Sequence, residues 1–250
     1  MHSFLLIGQS NMAGRGYLQD AIAVDTDRIY VLRNGRWQPM FRPINPDRSF
    51  SGVSLAENFA SCYAQTYDAD VGLICCADGG TSLSQWMPGS VLYDNAIMHA
   101  QLAKRTSTIA GILWHQGESD CADGRYYAYK DNLLRMLQSL RNDLNLPHVP
   151  ILLGGLGEYL IDCPRPAWEL HNYQHINHAL QDIARELPIT GFVPADGLQS
   201  NPDFLHFNAA SLHEFGKRYF LQYQKMMGNR TLADCKCNDS ENCCSEMEKL

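Results

Sequence analysis

The alternation of short apolar runs with longer amphipathic segments constrains the fold of this 250-residue chain more than any other feature. Five apolar runs have the length and composition of buried β-strands, and they cover residues 3–7, 71–76, 109–114, 149–153 and 189–193. Between them, apolar residues recur at helical spacing, as at Tyr129, Leu133 and Leu137. Alternating strands and helices predict an α/β fold in which helices cover both faces of a parallel sheet.

The segment IYVLRNGRWQPM departs from this alternation. Asn34 and Gly35 stand between two short apolar runs, a pattern typical of a β-hairpin turn. We interpret the hairpin as an insertion between the first strand and the first long helix. Because no internal repeat or low-complexity block precedes the end of the last helix, we predict one domain over residues 1–228 and a cysteine-rich tail over residues 229–250.

The tail contains four of the nine cysteines, in the sequence CKCNDSENCC. Their spacing is not that of a standard zinc finger, and no histidine follows them. We therefore expect a functionally peripheral tail, with a metal or redox role as the alternative.

Charge and hydropathy narrow the range of partners. The formal net charge is -7, so no basic surface indicates binding to nucleic acid or to an anionic membrane. No segment approaches the roughly 18 consecutive apolar residues that cross a bilayer. The first residues lack the charged and apolar regions of a signal peptide, which predicts a cytoplasmic location.

Reactive side chains follow several of the predicted strands. Ser10 follows the first strand, Gly79 and Gly80 follow the second, and the segment from His115 to Glu118 follows the third. Asp203 and His206 lie between the last strand and the last helix. Because the carboxyl ends of parallel strands meet at one edge of a sheet, we expect these four loops to converge there.

The converging groups suit acyl transfer. The Ser10 hydroxyl needs a base to become a nucleophile, and His206 can accept its proton while Asp203 fixes the tautomer of the ring. The backbone N–H groups of Ser10 and Gly80 and the side-chain amide of Gln116 are candidate donors to the oxyanion. The sequence around Ser10 lacks the second glycine of G-x-S-x-G, so it is not an α/β-hydrolase elbow.

Each of these residues also has a purely structural interpretation. Ser10 can cap a helix, Asp203 can stabilise a turn, and Gly79 and Gly80 can serve a tight turn alone. Gln116 and Glu118 can be satisfied polar groups at a strand end. Their placement on one predicted edge favours catalysis over these separate roles.

Four sequence blocks resemble those of a known family: IGQSNMAGRG, DGGTSLSQW, WHQGESD and DFLHFNAASLHEFGKRY. In this order they are similar to SGNH hydrolases, above all to the branch of sialate O-acetylesterases and the acetylxylan esterases of carbohydrate esterase family six. The resemblance covers about residues 3 to 225. It implies a flavodoxin-like three-layer α/β/α sandwich with a mostly parallel five-stranded sheet. It also implies removal of acetyl groups from sugar hydroxyls without a metal or cofactor, on an acetylated xylo-oligosaccharide or a sialate.

The resemblance assigns the same roles by position: Ser10 as nucleophile, His206 as base, and Asp203 as its acid partner. Gly80 and Gln116, with the Ser10 amide, are the implied oxyanion donors. We expect Glu118 to support the site through the loop of Ser10 or through the substrate, with a second acid role toward His206 as the alternative. Gly79 and Asn11 are further supporting residues.

Substrate selection is expected in the longer loops at the same edge. Arg15 would suit a sugar carboxylate, and Trp86 offers an aromatic face for a sugar ring. The segment 158–168, EYLIDCPRPAW, is a third candidate.

Three alternative functions remain open. His171, His175 and His178 fall at helical spacing and could bind zinc, although no H-E-x-x-H motif accompanies them. A sugar-binding module without activity is the second alternative, although it would need no nucleophile with a base. The third is an esterase or lipase of the same fold that acts on other esters.

Overall fold

The computed structural model describes residues 1–228, so the predicted tail over residues 229–250 lies outside the described residues. A seven-stranded sheet forms the centre of the domain, with the order β3-β2-β4-β1-β5-β6-β7. The strands are β1 (His2–Gly8), β2 (Ile29–Arg33), β3 (Arg36–Pro39), β4 (Val71–Cys75), β5 (Thr108–His115), β6 (Ile151–Gly154) and β7 (Thr190–Val193). All neighbouring strands are parallel except β2 and β3.

The predicted number of five strands is wrong, because the hairpin joins the sheet. The turn at Asn34 and Gly35 connects β2 and β3 as predicted, with positive φ angles of 50° and 73°. Strand β2 then pairs in parallel with β4, where Ile29 lies opposite Val71. Ile29 and Val31 are almost fully buried, and their burial favours docking of the hairpin against the edge of the sheet. The remaining five strands correspond to the five predicted runs.

Within residues 1–228 there are six α-helices: α1 (Ser10–Ala13), α2 (Leu55–Tyr67), α3 (Val91–Ala103), α4 (Tyr126–Leu144), α5 (Tyr173–Glu186) and α6 (Ala209–Met227). The short α1 follows β1 at the edge of the sheet, and the other five cover its two faces. Side chains alternate between the faces along each strand. On β1, Leu5 and Ile7 belong to the core under α3, α4 and α5, whereas Phe4 and Leu6 belong to the core under α2 and α6. The three-layer fold is therefore confirmed. Within residues 1–228, no helix is both long and apolar enough to span a membrane.

The end of β1 approaches β5 very closely. Gly8 has a φ of 129°, and a Cβ atom there would lie 2.1 Å from the carbonyl oxygen of His115. Glycine is required at this position because any side chain would clash with the β5 backbone. The Gln9 N–H then donates to the same carbonyl at 2.9 Å, and α1 begins at the next residue. This close contact fixes Ser10 at the carboxyl edge of the sheet.

Candidate active site

Ser10, His206 and Asp203 form a continuous chain of hydrogen bonds. The Nε2 atom of His206 lies 3.1 Å from the Ser10 Oγ, and its Nδ1 atom lies 2.6 Å from the Asp203 Oδ2. Because a carboxylate only accepts, Nδ1 carries the proton, which leaves the lone pair of Nε2 free to accept from the serine hydroxyl. The geometry matches a nucleophile, a base and an orienting acid.

The Asp203 carboxylate is held in its charged form. Burial alone would raise the pKa of Asp203, but hydrogen bonds from the side chain and backbone of His206 and from the Leu205 backbone lower this pKa to about 2. The two backbone N–H groups donate to Oδ1 at 3.0 and 3.1 Å. The D-x-x-H spacing thus lets one carboxylate bind both the imidazole and the backbone of the turn.

Asn11, the residue after the serine, binds the backbone on both sides of His206. Its Nδ2 donates to the Leu205 carbonyl at 3.2 Å, and its Oδ1 accepts from the Phe207 N–H at 3.0 Å. Nδ2 also donates to the Glu118 carboxylate at 2.5 Å. Three loops that follow different strands are therefore joined through one buried amide.

Glu118 contacts the loop of Ser10 through this amide. No hydrogen bond joins Glu118 to His206 within residues 1–228, so the structure offers no support for Glu118 as a second acid toward that ring. The Glu118 carboxylate lies 4.0 Å from the Nδ1 of the buried His115. Burial lowers the pKa of His115, which keeps that imidazole neutral.

Gly79 and Gly80 lie in the loop beside Ser10, and the structure requires glycine at each position for a different reason. A Cβ atom on Gly79 would lie 2.4 Å from the Nη2 of Arg15 and 3.4 Å from the Cβ of Ser10, so only glycine fits. Gly80 has a φ of 78° and open space around it. Among residues 1–228, neither the Ser10 N–H nor the Gly80 N–H donates to another backbone or side-chain group. Both are free to bind an oxyanion.

Gln116 does not occupy the expected position as an oxyanion donor. Its Nε2 donates to the Thr81 carbonyl at 3.1 Å and to the carboxylate of Asp120, and its side chain is fully buried. The reason is that the Thr81 carbonyl and the Asp120 carboxylate already accept from the amide nitrogen, which has two N–H donors and therefore has none left for an oxyanion. Asp120 also accepts from the Leu83 N–H at 2.8 Å. Gln116 and Asp120 together hold the loop that contains Gly80.

Arg15 is not a free cation for a sugar carboxylate. Its guanidinium forms a buried bidentate ion pair with Asp47, at 3.0 and 2.7 Å, and also donates to the Gly14 carbonyl. Burial raises the pKa of Asp47, but the hydrogen bonds and charge of Arg15, together with hydrogen bonds from the Ser51 hydroxyl and the Gly79 N–H, lower this pKa below its ordinary value. Arg15 lines the cavity next to Ser10, but its charge is already compensated.

Trp86 does not line the cavity next to Ser10 and exposes no ring face to a sugar. It is 1% exposed, it packs edge-to-face on Trp114, and its indole N–H donates to the Thr81 hydroxyl at 3.0 Å. A tryptophan in this loop thus belongs to the core, and the prediction of a stacking face at Trp86 is wrong.

A cavity of about 480 Å³ opens over Ser10 and His206. Its aromatic lining comes from Tyr17, Phe50 and Trp168, which are 44%, 67% and 37% exposed. Trp168 lies in the segment 158–168 that the sequence indicated, whereas no pattern in the sequence identified Tyr17 or Phe50. Exposed rings at the mouth of a cavity are suited to bind the apolar face of a ligand.

The three histidines considered for zinc do not share one helix. His171 lies in a 3₁₀ turn before α5, and the His175 ring stacks on Tyr126 with 4.8 Å between the ring centroids. Within the described part of the chain, no group of three or more histidine, cysteine, aspartate or glutamate side chains is arranged to hold a metal ion.

Comparison with known proteins gives one family and a consistent fold. Residues 1–225 match the family described as "Carbohydrate esterase, sialic acid-specific acetylesterase". The chain is 33% identical over 172 residues to a probable carbohydrate esterase of Arabidopsis thaliana, At4g34215. That match covers 60% of this chain and 66% of the relative, slightly less than two thirds of its length.

Solved structures agree in fold. The structure of the Arabidopsis protein AT4G34215 superposes with a TM-score of 0.78 at 28% identity, and it covers 90% of this chain and 98% of its own. NanS gives 0.72 at 17% identity, covering 92% and 98% of the two chains. A carbohydrate acetylesterase from Xanthomonas citri gives 0.65 at 17% identity, covering 93% of this chain and 58% of its own.

Proposed function

We propose that this chain, which belongs to the carbohydrate esterase family of sialic acid-specific acetylesterases, is a serine esterase that removes acetyl groups from sugar hydroxyls. The family predicted from the sequence blocks is confirmed. The observation that supports the proposed mechanism is the series of hydrogen bonds from Ser10 through His206 to Asp203. All three residues line one cavity.

In the first half-reaction, the Ser10 Oγ attacks the acetyl carbonyl carbon while His206 Nε2 takes the hydroxyl proton. The C–O bond to the sugar then breaks, and the same proton moves from Nε2 to the departing sugar oxygen. Asp203 holds the Nδ1–H and stabilises the imidazolium that forms between these transfers.

In the second half-reaction, water attacks the acetyl-Ser10 ester and gives its proton to His206. The bond between the acetyl carbon and the Ser10 Oγ breaks, Oγ takes the proton from Nε2, and acetic acid leaves and ionises to acetate in solution. Each proton and each bond in both halves is assigned to a group of this chain, to the substrate or to water, so the proposed reaction uses no metal or cofactor.

The negative oxygen of each tetrahedral intermediate would bind to the N–H groups of Ser10 and Gly80. One such donor typically stabilises the transition state by about 3–4 kcal/mol. Gln116 supports this site indirectly, because it binds the Thr81 carbonyl in the loop that contains Gly80. We propose Gln116 as a positioning residue and not as a donor.

The proposal is tested by the acyl-chain preference together with covalent labelling. We expect the 4-nitrophenyl esters of acetate, butyrate and octanoate to be hydrolysed with kcat/KM falling as the chain lengthens. A fluorophosphonate probe should label one peptide, at Ser10, and labelling should be lost in His206→Ala. Preference for octanoate would indicate a lipase or thioesterase, and labelling of another serine would contradict the assigned nucleophile.

A further inference from the structure

We propose that a second cavity, at the carboxyl ends of β2 and β4, is a binding site for a small aromatic carboxylate. This inference goes beyond the proposed esterase function. We call the second cavity the Arg33 cavity and the one over Ser10 the Ser10 cavity, and their volumes are about 720 and 480 Å³. In open α/β sheets, ligands bind at the edge where the parallel strands have their carboxyl ends. The lining of the Arg33 cavity includes Leu32, Arg33, Phe41, Arg48 and Leu92.

The Arg33 cavity is separate from the Ser10 cavity. Among residues 1–228, Arg48 is the only residue that lines both. Its Nη2 donates to the Gly79 carbonyl at 2.8 Å, and its Nη1 lies 2.7 Å from the Asp78 carboxylate. These two contacts hold Arg48 as a wall between the cavities. A ligand in the Arg33 cavity therefore does not occupy the proposed esterase site.

The Arg33 guanidinium has hydrogen-bond donors that the protein leaves unused. Its Nη2 donates to the backbone carbonyls of Phe41, Pro43 and Ile44. Its Nε and Nη1 have no acceptor within the described residues. Nε is enclosed by the protein, whereas Nη1 is not, so the two N–H groups of Nη1 can donate to a ligand. An acceptor at Nη1 would stabilise this half-buried guanidinium.

The charge of Arg33 is not compensated by an acidic side chain. The two carboxylates on the lining already have arginine partners, because Asp47 pairs with Arg15 and Asp78 pairs with Arg48, each at 2.7 Å. No carboxylate of residues 1–228 forms an ion pair with Arg33. The lining thus has one positive charge in excess, and a ligand with a single negative charge would balance it. A carboxylate carries that charge.

The apolar part of the lining favours a ligand with an aromatic body over a small inorganic anion. The Phe41 ring is 55% exposed, and the Arg33 guanidinium carbon lies 3.7 Å from its centroid. Leu92 of α3 is half-buried and lines the same cavity. An aromatic ring packed on Phe41 and Leu92 would remove apolar surface from water while its carboxylate binds Arg33. Apolar walls with a few polar groups that fix the ligand are typical of small-molecule sites.

The experiment measures the binding of 2-naphthoate to the full chain by isothermal titration calorimetry at neutral pH. We expect the wild type to bind it with a Kd below about 1 mM. The uncharged 2-naphthamide has nearly the same shape and should bind at least about tenfold more weakly, because it lacks the negative charge. Arg33→Gln should weaken the binding of 2-naphthoate by about tenfold or more.

A second variant tests the site without changing its charge. Asn95 of α3 is half-buried and lines the Arg33 cavity but not the Ser10 cavity, so Asn95→Trp should fill the cavity and abolish the binding of 2-naphthoate. Gln101→Trp is the matched control, since Gln101 is exposed on the same helix and lines neither cavity. It should bind 2-naphthoate as the wild type does. If Arg33→Gln does not fold, as thermal unfolding would show, this pair of variants decides the result.

Arg165→Gln distinguishes the two cavities, because Arg165 lines the Ser10 cavity and not the Arg33 cavity. This variant should bind 2-naphthoate with wild-type affinity. Loss of affinity in Arg165→Gln, with Asn95→Trp unchanged, would place the ligand in the Ser10 cavity and overturn the proposal. Absence of binding to the wild type, or equal binding of 2-naphthoate and 2-naphthamide, would overturn it as well.

Discussion

Asn11 holds His206 in place through the backbone of both neighbouring residues. One side-chain amide donates to the Leu205 carbonyl and accepts from the Phe207 N–H, so His206 cannot shift without breaking a contact to the residue that follows Ser10. Asn11 thus supports the distance of 3.1 Å between Ser10 Oγ and His206 Nε2 although its side chain is hydrogen-bonded to neither atom.

Asn11→Ala should lower kcat for 4-nitrophenyl acetate by about 10²-fold with little change in KM, because a small misplacement of the base has an effect of this size. The control is Asn58→Ala, which removes another side-chain amide, one whose Nδ2 donates to the His213 carbonyl at 2.7 Å. This variant should lower thermal stability and leave kcat unchanged. Equal kcat values in the two variants would contradict the positioning role.

Gln116 and Asp120 should act as one unit. Gln116→Ala should lower kcat by about tenfold, less than the 10²–10³-fold typical of a lost oxyanion donor. Asp120→Ala should have a similar effect, although Asp120 does not line the Ser10 cavity. The double variant should be no slower than the worse single variant, because both changes release the loop of Gly80. Steady-state kinetics on the three variants would contradict this account if the effects multiplied.

The stabilisation from Asp203 should depend on pH. Its pKa of about 2 in the folded protein lies below the ordinary value of 3.8, so the folded state binds this proton more weakly than the unfolded state. The stabilisation is therefore complete above pH of about 4 and is lost as the pH falls through about 2. Urea unfolding should show Asp203→Asn less stable than the wild type at neutral pH, with the difference shrinking toward acid pH. A difference in the free energy of unfolding that does not change with pH would contradict stabilisation by the Asp203 charge.

Alanine substitutions at Gly79 and Gly80 should differ in their effect on the free energy of unfolding. Gly79→Ala brings a methyl group to 2.4 Å from Arg15 and 2.9 Å from Asp47, so it should displace the buried ion pair and destabilise the fold by about 3 kcal/mol. Gly80→Ala meets no neighbouring atom and should cost about 1 kcal/mol, from its positive φ alone. Chemical denaturation measures both, and the reverse order would be inconsistent with this packing.

The sequence predicted the three-layer fold and the meeting of Ser10, Asp203 and His206, because strand order in a parallel sheet determines which loops converge. It could not predict how individual polar groups pair across loops. The partner of Arg15 is Asp47, 32 residues away in an irregular segment, and the partner of Gln116 is the buried Asp120. Because each side chain is paired within the protein, neither is available to contact the substrate, although its residue type alone suggests such a contact.

Trp86 and the hairpin illustrate the same limit for apolar contacts. The burial of Trp86 depends on Trp114 in a separate strand, and no local pattern distinguishes a buried indole from one that lines a cavity. The turn of the hairpin could be predicted from Asn34 and Gly35, but its docking on β4 depends on tertiary packing.

Hydrolysis of 4-nitrophenyl acetate by the wild type and by Ser10→Ala, each with and without EDTA, tests the central claim most directly. We expect the wild-type rate to be unaffected by EDTA and the rate of Ser10→Ala to fall to background. Ser139→Ala, a serine on α4 outside the Ser10 cavity, should behave as the wild type. Activity that persists in Ser10→Ala, or that is lost to the chelator, would contradict a serine nucleophile in this esterase.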